Sequence, residues 1–249
     1  MSSLTSTREA PKLFPHTRWS MVLAATQRPS PESAAAMESL CEAYWYPLYA
    51  YVRRCGESPH DAQDLTQEFF CRLLEKRWLE AADRDKGTLR IFLITALKHF
   101  MSNEWRKAAT LRRGGRQASV ALDTSVAESR YVVDQSPALI AEETYDRQWA
   151  MTLLDRTLNR LEQEFVTAGK TTDFAALHSV LMAERGTINY AVVAERLGGN
   201  EGAARVAVHR LRKRFREIYR DEIAQTLADG TDLEAELHHL ARALAGKIK

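Results

Sequence analysis

Cysteine is scarce in this chain of 249 residues: only Cys41, Cys55 and Cys71, widely spaced and with no CxxC pair. That excludes a disulfide framework and argues against a zinc site built on thiolates, leaving free thiols in a reducing compartment. No apolar run is long enough to span a membrane. The opening stretch, MSSLTSTREAPKLFPHTRWS, is polar and broken by proline, without the apolar core of a secretory signal, so a cytoplasmic protein is expected. No phosphate-cradling glycine loop, serine elbow or zinc-protease motif occurs. His238 and His239 lie near Glu234 and Glu236, but adjacent side chains on a helix point about 100° apart. No catalytic residue, metal site or cofactor is therefore expected, and the chain does not read as an enzyme.

Net charge is also nearly absent, at +2, yet its distribution is uneven. Lys98, Arg106, Lys107, Arg112, Arg113 and Arg116 face Glu104 alone. Arg205, Arg210, Arg212, Lys213, Arg214, Arg216 and Arg220 face Glu217 alone. The stretch between them, Leu122 to Glu164, is acidic. Two basic stretches around an acidic one fit two contacts with a polyanion. On charge alone, two solvated helix faces explain them equally well.

Strand patterns are scarce as well. Apolar residues recur at spacings of three and four, which predicts an all-α protein with two small helical domains. Residues 1–13 read as a disordered segment and 14–113 as the first domain. Residues 114–144 read as an acidic linker, in which SRYVV leaves a short strand or helical turn open. Residues 145–222 form the second domain and 223–249 a C-terminal helical extension. In the first domain, Pro47 is expected to kink or divide a helix. Ser58 is placed to cap the next helix and Pro59 to open it, with Asp61 and Asp64 near the positive end of its dipole. Leu65, Phe69 and Leu73 form its apolar face, while Asp64, Gln67, Glu68, Cys71, Arg72 and Glu75 point away. In the extension, Leu233, Leu237, Leu240 and Leu244 make an apolar stripe.

The stretch YAVVAERLGGNEGAARVAVHRLRKRF has the spacing of a helix-turn-helix. Ala194 is small where two helices cross, Gly198 suits a left-handed turn, and Asn200 is a good N-cap. Ala204, Val208, Leu211 and Phe215 line the buried stripe of the second helix. Glu201, Arg205, His209 and Arg212 fall on the other side, as a helix in the major groove requires. Arginine suits both guanine edges and phosphates.

Two blocks together resemble one family. DAQDLTQEFFCRLLE looks like the second conserved region of bacterial sigma factors, and NEGAARVAVHRLRKRFRE resembles the fourth. Their order and the lack of other domains resemble the extracytoplasmic-function (ECF) type, over about Trp19 to Glu222. The resemblance implies a factor that binds core RNA polymerase, recognises the −35 and −10 promoter elements and opens DNA. It assigns Asp61, Asp64, Gln67, Glu68 and Arg72 to the β′ clamp helices. Asp83 to Arg90, with Lys86, Thr88 and Arg90, would form the base-reading loop at the −10 element. Lys98, His99, Asn103, Arg106 and Lys107 would line the melted strand. Opening DNA without ATP takes binding energy for single strands: cations for phosphates and pockets for flipped bases. Phe92 and Trp105 read as core in preference to stacking partners. Asn200, Glu201, Arg205, His209, Arg210 and Arg212 would meet the −35 element, with the β flap beside them. An anti-sigma factor or other regulator is a further partner the resemblance suggests, and a membrane is not. The linker would either thread the polymerase near nascent RNA or act as a plain tether.

The chain departs from the family pattern at Phe92-Leu93, where a Trp-Leu pair is common, and at His99 and Asn103, often Asn and Asp. Gly199 replaces an apolar turn residue and Ala204 a valine. These positions bear on promoter preference more than on polymerase docking. The alternative is a helix-turn-helix regulator that never docks on core polymerase.

Overall fold

In the computed structural model the described residues are 31–75, 78–81, 88–111, 125–134, 139–184, 186–227 and 232–246. Among them every regular element is helical. Helix α1 spans Pro31–Arg54, α2 Pro59–Glu75, a single 3₁₀ turn Trp78–Ala81, and α3 Leu89–Leu111. Helix α4 (Ser125–Asp134) and α5 (Ala141–Thr167) follow, then α6 (Thr171–Leu181), α7 (Tyr190–Leu197), α8 (Glu201–Ala224) and α9 (Leu233–Leu244).

Local chemistry sets several of these boundaries. Ser58 Oγ accepts from the Asp61 amide at 3.1 Å and donates to Asp61 Oδ2 at 2.8 Å, so cap and first-turn carboxylate satisfy each other. Pro59 is the first helical residue, as expected. Pro47, by contrast, does not divide its helix: α1 runs unbroken through it. A proline inside a helix forfeits one amide bond and costs about 3 kcal/mol. Here that cost falls in a densely buried part of α1. Leu48, Tyr49, Ala50 and Val52 are fully buried, and Tyr44 stacks on Trp149 of α5 with ring centroids 4.2 Å apart.

Among the described residues two hydrophobic cores result. The first gathers α1, α2 and α3 through residues such as Tyr44, Phe69, Leu93 and Leu97. It also takes Tyr145, Trp149, Ala150 and Leu153 of α5, Ile223 at the end of α8, Leu227, and Leu240 of α9. The second joins Leu161 of α5 to α6, α7 and α8 through Phe174, Leu177, Val193, Ala204, Val208, Leu211, Phe215 and Ile218. Helix α5 thus serves both: its first half packs on α1 and its last turns join the second core. The stripe expected on α9 is present, with Leu240 fully buried and Leu233, Leu237 and Leu244 packed beside it.

The expected linker contains an ordered helix, α4, which covers the SRYVV stretch. Glu128 accepts from Tyr49 Oη at 2.6 Å and from Arg53 Nη2 at 2.7 Å, and Tyr131 is buried beneath the Arg53 guanidinium. Arg130 stacks over the Tyr46 ring at 4.1 Å. Helix α5 begins at Ala141, four residues before the expected domain start.

Candidate functional site

Helix α2 turns its apolar residues Ala62, Phe69 and Leu73 into the first core, which leaves a polar face outward. Asp61, Asp64, Gln67 and Glu68 line one open groove with Leu65, Cys71 and two residues of α3, Phe100 and Glu104. Arg72 sits at its end. Its Nε donates to Glu68 Oε1 at 2.6 Å, Nη1 lies 3.6 Å from Glu104, and the guanidinium covers the Phe100 ring at 5.6 Å. The Glu68 hydrogen bond raises the Arg72 pKa further. The five residues assigned to polymerase docking are therefore brought together, as an acidic groove with one cation held rigidly at its rim.

A second cleft opens on the other side of Arg72. Trp78 and Phe100 give it an apolar floor, and Asn103, Glu104, Arg106 and Lys107 form its rim. His99, Asn103, Arg106 and Lys107 recur at helical spacing and are all exposed, because α3 buries the opposite face through Leu93, Leu97, Phe100 and Met101. Arg106 is held by the Ser102 carbonyl at 3.3 Å and by Asn103 Oδ1, and Lys107 pairs with Glu104 at 2.8 Å. The floor residue Trp78 was not singled out by its sequence, since the 3₁₀ turn that presents it carries no periodic signal. Trp105, expected in the core, is 46% exposed, and its Nε1 donates to Glu57 Oε1 at 2.8 Å. Phe92 does pack against the core.

Other residues assigned to the −10 surface lie elsewhere. Lys86 falls outside the described residues. Thr88 is buried and caps α3, its Oγ1 3.3 Å from the Ile91 amide. Arg90 is 5% exposed, paired with Asp146 and with Glu236 Oε1 at 3.1 Å. Burial works against its charge, but the two carboxylates carry its pKa upward. Lys98 is half-exposed, 2.6 Å from Glu142 Oε1.

Helices α7 and α8 are joined by a tight turn with the glycine and the cap that their spacing predicts. Gly198 adopts φ 64° and closes α7, and Asn200 Oδ1 accepts from the Ala203 amide at 2.9 Å to open α8. Asn189 caps α7 in the same way. Ala204, Val208, Leu211 and Phe215 are buried, so Glu201, Arg205, His209 and Arg210 face outward. Arg205 lies over the Tyr190 ring at 4.2 Å and 3.5 Å from Glu201. Arg212 does not join this face. Its guanidinium donates to the carbonyls of Val180 (2.9 Å), Leu181 (3.1 Å) and Ala183, closing the C-terminal end of α6. Arg214 is likewise committed, to both Glu164 oxygens and to Glu217.

Residues 40–110 match the family model for sigma-70 region 2. That span holds most of α1, all of α2 and nearly all of α3, so both the acidic groove and the aromatic-floored cleft lie inside it. The match supports a sigma-70 region 2 unit in this part of the chain. No curated protein and no solved structure matches the chain. No described helix is long and apolar enough to cross a membrane.

Proposed function

We propose that this protein is a sigma factor of the ECF type, working in the cytoplasm, with residues 14–113 as region 2 and 145–222 as region 4. The observation that carries the reading is the pairing of two surfaces within the matched span. An acidic groove on α2 and a cationic cleft on α3 share Phe100 and Glu104, and Arg72 of the cleft bonds Glu68 of the groove. The groove offers carboxylates to a basic helical partner, the β′ clamp helices. The cleft offers Arg106 and Lys107 to phosphates and Trp78 to an unstacked base. His99 and Asn103 extend that track. The outward face of α8, from Asn200 to Arg210, presents Glu201, Arg205 and His209 to the major groove of the −35 element, beside the β flap. Binding energy gathered at these places would replace ATP in opening the duplex.

Transcription in vitro with sigma-free core polymerase on a genomic-fragment library tests the reading. Discrete transcripts that depend on this protein are expected, and they should vanish in a D64A/E68A variant that retains its helical content. Duplex binding without core-polymerase binding would instead identify a helix-turn-helix regulator.

A further inference from the structure

Three cations of the region 2 span are matched by carboxylates from later in the chain. Arg53 meets Glu128 of α4, Lys98 meets Glu142 of α5, and Arg90 meets both Asp146 of α5 and Glu236 of α9. The Arg90 cluster is the most enclosed. Tyr145 Oη donates to the Arg90 carbonyl at 3.0 Å, the Leu89 amide faces the Thr226 carbonyl at 3.5 Å, and His239 Nε2 lies 2.8 Å from Asp146 Oδ2. The start of α3 is thereby sealed under α5, the end of α8 and α9.

A buried cluster of this kind is a poor way to gain stability, because apolar residues of similar volume serve as well or better. Buried ion pairs are best attested where they fix a register or serve a switch. Here the pairing is selective. Two of the three cations belong to the −10 set, Lys98 among the residues assigned to the melted strand and Arg90 in the base-reading loop, and the groups that hold them are carboxylates, which stand where phosphate oxygens would.

We propose that the chain is self-closed: Glu142, Asp146 and Glu236 occupy cations that meet the melted −10 DNA, and α9 is the latch that keeps Arg90 buried until it lifts. This rests on the strand-binding reading of α3 given above. When α9 lifts, Arg90 loses Glu236, and the start of α3 becomes accessible beside Lys98 without any change in the acidic groove of α2.

The test uses the full chain and a fluorescent single-stranded 20-mer of mixed sequence, read by anisotropy, with hydrogen exchange followed at residues 89–93. The E236Q variant keeps the shape of the side chain and removes the charge. It is expected to bind the oligonucleotide at least about fivefold more tightly than the parent, the lower end of typical coupling between sites, with faster exchange at 89–93 and in α9. The E142Q variant breaks only a half-exposed pair and so leaves folding intact. It should give a smaller gain, with exchange at 89–93 unchanged. A merely structural role for Glu236 would speed exchange but lower or leave unchanged the affinity. Unchanged or weaker binding in both variants overturns the proposal, and should E236Q lose helicity, the E142Q result decides alone. Core-polymerase binding by the parent protein is measured alongside. Its absence together with a gain in oligonucleotide affinity sinks the sigma reading and spares the latch. Its presence with no gain sinks the latch and spares the sigma reading.

Discussion

Arg210 and Arg212 stand two positions apart on α8 and do different work. Arg210 is exposed on the outward face, whereas Arg212 spends its donors on three carbonyls at the end of α6. Replacing Arg212 with alanine should cost about 1–3 kcal/mol, the penalty for leaving such acceptors unpaired, seen as a lower denaturation midpoint. R210A should leave that midpoint in place and weaken duplex binding, with a shallower salt dependence. Both arginines are equally visible in the sequence. Which one is structural depends on where α6 ends.

Three carboxylates held by cations predict the acid response of the fold. The hydrogen bond from Arg53 holds Glu128 below the usual carboxylate range, Lys98 does the same for Glu142, and Arg214 for Glu164. A depressed folded-state pKa gives stability that is complete above the unfolded value, about 4.3 for glutamate. It is lost as pH falls through the lower folded value. Unfolding midpoints measured from pH 6 to pH 3 should therefore drop most steeply below about pH 4.3. E128Q should lower the midpoint at neutral pH by the equivalent of about 1 kcal/mol, since the pair is partly solvated, and flatten the acid limb.

Among the elements, α2 and the α7–α8 hairpin were plain from short-range chemistry. A serine cap followed by proline, and a glycine turn followed by an asparagine cap, act within a few residues and need no partner to be recognised. Gly198 at φ 64° is the sharpest case. G198A should cost about 1 kcal/mol through the left-handed strain alone, because a Cβ there meets nothing within 4 Å. Chemical denaturation gives that loss directly. Helix α4 was not plain in this way. Its sequence, SVAESRYVVD, carries no strong period, and the helix is held to α1 by Glu128, Arg130 and Tyr131 acting on residues about 75 to 85 positions earlier. Pro47 shows the converse. The local rule predicts a kink or a division, and the helix continues through the residue, with buried packing on both sides of it.

For the molecule as a whole, α5 decides cooperativity. One 27-residue helix contributes Trp149 and Leu153 to the first core and Leu161 to the second. Thermal unfolding followed by far-ultraviolet circular dichroism and by tryptophan fluorescence should give coincident transitions. W149A should lower both together, by about 3–5 kcal/mol for a large buried aromatic. Separate transitions would show that the two cores melt independently.

The sequence by itself determined the helical class, the caps and turns, the inward stripes of α2, α8 and α9, and the polar face of α2. Each of these follows from periodicity and from side chains acting on their own backbone. Only the tertiary structure decided which cations remain at the surface. Arg90, Arg106, Arg210 and Arg212 are alike as residue types, and each sits in a helix with apolar neighbours. Their fates diverge because Asp146 and Glu236 reach one from 56 and 146 positions away, and the end of α6 reaches another from about 30. Such distances lie beyond any local pattern, and burial of a charge is settled by whether a partner arrives.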